Sequence, residues 1–201
     1  MGLAIALQVT GRYDEALAEM LEARNVDPLS LWIRSNLADV YYRLRDYETA
    51  LEVALSLLKL TPDDALGAAF VGQLYAENHQ PAEAASYAKR AASLTGGDPN
   101  LDLGVALVYA TLGDQTEARE ILHQIDPEDA TRFVSPGYLA AVYANLGEND
   151  LAMENLARGV EEYDSFIFNL NYPMWDPIRS DPRFVALCEG LKMACAGSQG
   201  S

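Results

Sequence analysis

One period runs through this chain and restricts what it can fold into. Tyr41 recurs as Tyr75, Tyr109 and Tyr143, and Ala50 as Ala84, Ala118 and Ala152, with Ala16 one step earlier; every step is 34 residues. Small residues form a second column at Ala4, Ala38, Gly72, Ala106 and Ala140, and large aliphatics precede them as Leu3, Leu37, Val71, Val105 and Leu139. A unit this short cannot bury an apolar face alone, so its copies must stack on one another. Within each period the apolar spacing is helical, interrupted once by a turn and once by a breaker. Gly11, Gly113 and Gly147 supply turns that accept positive φ, and Arg45 and His79 stand at the same place in two other units. Asp27-Pro28 and Thr61-Pro62 end helices, because proline disfavours helical geometry in the residue before it. Pro81 opens one, where its missing N–H costs nothing. The pattern predicts helices over 31–44, 47–60, 65–78, 81–94, 101–112, 115–125, 133–146 and 149–163.

With 201 residues, 50% of them hydrophobic, the chain can bury a substantial core. Its net charge of −16 argues against a nucleic-acid-binding surface, which needs a basic patch. The acidic excess serves solubility or a preference for basic partners. It lies in the repeats, since from residue 165 onward Asp176, Asp181 and Glu189 are balanced by Arg179, Arg183 and Lys192. No apolar run reaches the ~18 residues that span a membrane, so no membrane partner is expected. Cys188 and Cys195, on one helix, would stand about 10 Å apart, too far for a disulfide within it; they read as reduced thiols of a cytoplasmic protein, with an intermolecular bridge as the alternative.

A 34-residue period with two helices per unit resembles the tetratricopeptide repeat, from the start to about residue 164. The resemblance implies an all-α fold: a right-handed superhelical solenoid of about five helix-turn-helix repeats, with a C-terminal capping segment. The units expected are 1–30, 31–64, 65–98, 99–132 and 133–164. Departures from the pattern are Gly96 and Ala130 where a terminating proline is expected, and Arg45 and His79 in place of turn glycines. In this family the first helix of each pair lines a concave groove. Projected onto this chain, that face carries Trp32, Ser35, Asn36, Asp39, Tyr42 and Arg43 in the second unit, and Leu66, Ala69, Phe70, Gln73 and Glu77 in the third. The fourth offers Leu103, Leu107, Ala110 and Thr111, and the fifth Val134, Tyr138, Ala141 and Asn145. The Lys/Asn clamp with which some members hold a chaperone's C-terminal carboxylate is absent; its columns hold Ser35, Asp39, Ala69 and Gln73.

After the repeats comes an aromatic run, Phe166, Phe168, Leu170, Tyr172, Met174 and Trp175, in which Asn171 and Pro173 oppose a continuous helix. A helix over 182–193 follows, started by Asp181-Pro182. Residues 165–193 are expected to cap the last apolar face or to dock on a partner, and 194–201 to be disordered. The phrase from Trp175 to Phe184 resembles the ending of repeat regions in bacterial winged-helix regulators, class III adenylate cyclases and kinases. That implies a C-terminal sensory or interaction part of a signalling protein.

No catalytic constellation is present: no nucleophile elbow, phosphate loop or dinucleotide fingerprint. His79 and His123 lack neighbours at metal spacing, so neither metal nor cofactor is expected. The leading reading is a non-enzymatic interaction module of bacterial style, holding in its groove a protein or peptide, an amphipathic helix, or its own tail in cis. The second is a regulatory domain whose groove binds a ligand or mediates homo-oligomerisation. The third, of another class, is an enzyme using groove carboxylates.

Overall fold

The computed structural model describes residues 2–126 and 131–193, and regular structure among them is helical throughout. In chain order the helices are α1 (Gly2–Val9), α2 (Tyr13–Val26), α3 (Leu31–Arg43), α4 (Tyr47–Leu58), α5 (Ala65–Glu77) and α6 (Pro81–Ala92). They continue as α7 (Pro99–Leu112), α8 (Gln115–Leu122), α9 (Pro136–Asn145) and α10 (Asn149–Glu161). Two 3₁₀ helices, η1 (Ser165–Asn169) and η2 (Pro173–Ile178), precede α11 (Pro182–Leu191). The fold is the expected all-α repeat array.

Short polar side chains fix where helices begin. Ser30, Asp46, Asp64, Asp98, Asp114, Ser135 and Asp181 each accept a hydrogen bond from a backbone N–H of the helix they precede. Such caps contribute about 1 kcal/mol each. They also explain two shifted boundaries. Asp98 with Pro99 starts α7 ahead of the predicted residue 101. Ser135 with Pro136 delays α9 beyond 133 and leaves Phe133 outside the helix and exposed.

The turns within helix pairs repeat one backbone geometry. Gly11, Arg45, His79, Gly113 and Gly147 all have positive φ, between 56° and 78°. Arg45 and His79 thus hold, at a cost, a left-handed conformation that glycine adopts freely.

The chain divides into two compact units, one gathering residues up to Leu60 with those from Phe168, the other being Thr61–Ile167. In the first, Ala4, Met20, Ile33 and Leu37 form one apolar cluster, and Leu7, Ala16 and Val40 another. Trp175, fully buried, packs on Phe184 of α11 with ring centroids 5.9 Å apart. Its indole N–H donates to the carbonyl of Asn169 at 2.9 Å.

In the second unit α7 packs on α5, α6, α8 and α9. Gly104 of α7 permits a close approach: a Cβ there would stand 2.8 Å from the Tyr138 hydroxyl oxygen. Asp164, left by α10, accepts from Ser135 Oγ at 2.6 Å, from the Gly137 N–H at 2.8 Å and from the Phe166 N–H at 3.0 Å. One buried carboxylate therefore ties η1 to the start of α9. The repeated alanines Ala16, Ala50, Ala84, Ala118 and Ala152 are all fully buried, so that column is a packing device.

A further expectation fails. Cys188 is disulfide-bonded, not a reduced thiol. The expectation assumed one helix carrying both cysteines, whereas α11 stops at Leu191 and Lys192 turns the chain with a φ of 54°. Cys195, the expected disorder of 194–201 and Ala130 lie outside the described residues.

Candidate functional site

In the first unit α3 presents Asp39 and Arg43 one turn apart, so their side chains meet. The guanidinium Nε donates to Asp39 Oδ2 at 3.0 Å, and the Arg43 side chain is 5% exposed. Other polar atoms of this pair are met by residues 169–172, the last residue of η1 and the turn after it. Arg43 Nη1 donates to Asn171 Oδ1, and Nη2 reaches Asn169 Oδ1 at 3.5 Å. The Tyr172 hydroxyl donates to Asp39 Oδ1. The Tyr172 ring lies under the guanidinium, 4.0 Å from its carbon to the ring centroid, a cation–π arrangement. Tyr172 also meets Tyr42 edge to face at 5.6 Å. Asn171 turns its amide N–H toward α1, donating to the Gln8 carbonyl at 3.1 Å.

Further ties extend this contact. Asp176 pairs with Arg45 at 2.7 Å and with Arg179 at 2.8 Å, and Arg179 Nη2 donates to the Tyr172 carbonyl at 2.7 Å. Tyr172 itself has φ −71° and ψ 152°, an extended geometry close to polyproline II, and Pro173 follows it.

The electrostatics follow from burial and pairing. Burial, helped by the Asp39 charge, pushes the Tyr172 phenol well above its ordinary range. Burial opposes the Arg43 charge, but Asp39 and Tyr172 outweigh it and hold the guanidinium cationic. Burial would raise the Asp176 carboxyl, yet hydrogen bonds from Arg45 and Arg179 keep it below the usual carboxylate range. The arrangement carries a fixed cation, a fixed anion and hydrogen-bond donors and acceptors. Among the described residues no group of His, Cys, Asp and Glu could hold a metal ion.

The projected groove residues divide. Asp39, Tyr42 and Arg43 come together as above. Trp32 is 40% exposed, Ser35 is exposed, and Asn36 bonds back to the Trp32 carbonyl at 2.8 Å. In the second unit Gln73 donates to Thr111 at 3.0 Å and Thr111 to Asn145 at 3.5 Å, a polar ladder across α5, α7 and α9. Phe70 is half-buried, while Leu103 and Leu107 are buried. Tyr138 stacks on Phe166 at 4.5 Å, and burial raises its phenol strongly. Sequence reasoning did not single out Gln8, Asn169 or Asn171 as site residues. Two asparagines inside an aromatic run were the available signal, because a buried carboxamide requires partners.

Known proteins bear on this geometry in two ways. The family model described as tetratricopeptide repeat matches residues 1–65 and 72–131. Among solved structures the chain is similar to a thermophilic TPR protein of Thermus thermophilus, with 26% identity and a TM-score of 0.61, over 86% of this chain and 94% of that one. No curated protein matches. Among the described residues no helix is long and apolar enough to cross a membrane.

Proposed function

Because the chain belongs to the tetratricopeptide repeat family, we propose that it is a non-enzymatic interaction module that binds peptide on the inner face of its first two repeats and holds its own segment 169–176 there in cis. A protein-interaction role is what the family carries in general. The observation that supports the finer reading is the pairing of Asp39 and Arg43 with Tyr172 and Asn171. A side chain that only filled an end of the array would need no such match of phenol to carboxylate and carboxamide to guanidinium. The pairing is the kind of recognition an interaction face performs, carried out on the protein's own chain.

A double-mutant cycle tests this. Asp39→Asn, Tyr172→Phe and the double variant are unfolded in urea at neutral pH. A coupling energy of about 1 kcal/mol or more between the two positions is expected, as for groups in direct contact. Additivity within about 0.3 kcal/mol would remove the cis contact, and the reading with it.

A further inference from the structure

We infer that the α3 face bearing Asp39 and Arg43 accepts in trans a basic peptide of another protein that presents a carboxamide, a phenol and a proline in succession, displacing segment 169–176. This rests on the reading above and names the partner's chemistry.

The cis segment shows what the face selects. Arg43 donates, so it needs an acceptor that is not already an anion's partner; the carboxamide oxygen of Asn171 serves. Asp39 accepts, so it needs a donor, which the Tyr172 hydroxyl supplies. A peptide's terminal carboxylate would meet the Asp39 charge and is disfavoured, the reverse of a carboxylate clamp. Tyr172 lies in a turn closed by its N–H on the Asn169 carbonyl at 2.9 Å, and Pro173 opens the 3₁₀ helix η2, so proline sets the turn in advance and lowers the ordering cost of a bound peptide.

The cis segment also leaves something unmet: Gln8 Nε2 is buried with no hydrogen-bond partner, although the Gln8 carbonyl is engaged by Asn171. A partner peptide with an additional acceptor could satisfy it and so outbind the resident segment. A second copy of this chain offers only the same segment. It would compete against a cis copy whose effective concentration is of millimolar order, so a different protein is the occupant that fits. The net charge of −16 favours basic flanks on that peptide and a faster encounter with it.

The probe is a fluorescein-labelled synthetic peptide of residues 168–176 with two lysines added at its N-terminus, titrated by fluorescence anisotropy into the full-length chain. Asn171→Ala and Asn171→Ala/Tyr172→Ala variants, checked for folding by circular dichroism, should bind it at least about tenfold tighter than the wild-type chain. Alanine at the Asn and Tyr positions of the peptide should abolish that gain. Absence of binding to folded variants would overturn the inference. So would equal binding to wild type, which places the peptide elsewhere. A wild-type dimer that Arg43→Leu dissociates would overturn it in favour of a second copy. If the cycle of Asp39 and Tyr172 shows coupling while the peptide fails, the cis reading stands and only the partner chemistry falls.

Discussion

At the scale of single residues, the phenols of Tyr138 and Tyr172 couple stability to pH. Burial raises both above the ordinary tyrosine value. In the unfolded chain each phenol ionises near its unperturbed value of about 10, whereas in the folded chain it stays protonated. The folded state therefore binds more protons above that pH, and stability falls as pH rises. The contribution is intact below about pH 10 and is lost progressively above it. Urea midpoints at about pH 8 and about pH 11 should show a marked drop at the higher pH, smaller in Tyr172→Phe. A flat profile would mean that these hydroxyls reach solvent.

At the scale of elements, close packing and turn geometry make opposite predictions for similar substitutions. Gly104→Ala places a Cβ 2.8 Å from the Tyr138 hydroxyl, whose ring is fixed against Phe166. It should destabilise by about 1–3 kcal/mol despite the higher helix propensity of alanine. Adding Tyr138→Phe should recover part of the loss. Gly190→Ala in α11 meets nothing within 4 Å and should be neutral or stabilising by up to about 1 kcal/mol. Thermal denaturation separates the two. His79→Gly should stabilise by about 1 kcal/mol, because His79 holds a φ of 56° without a glycine's freedom. These elements were readable in advance to different depths. The alanine column and the turn positions follow from the period alone, because identical contacts demand identical residues. The starts of α7 and α9 were missed by two or three residues, since Asp98-Pro99 reads equally as a chain break and as a cap followed by the first helical turn.

At the scale of the molecule, the order of repeats was legible and the destination of the tail was not. Helical spacing encodes which face of an element is apolar, and that suffices to stack neighbours along the sequence. The contact of Asn171 with Arg43 joins residues 128 apart, and no period relates them. Asp39, Tyr42 and Arg43 stood out because they do not repeat, while Asn171 looked only like a helix breaker. The Cys188 disulfide was missed for a different reason: a helix was assumed to continue where a left-handed Lys192 ends it. The central claim is that segment 169–176 is held by the first two repeats. Hydrogen exchange followed by mass spectrometry, comparing the wild-type chain with Asn171→Ala/Tyr172→Ala, tests it most directly. The account predicts faster exchange in α3 and in residues 168–193, with α9 and α10 unchanged. Faster exchange in α9 and α10 with α3 unaffected would contradict it and make the segment a cap of the last repeat.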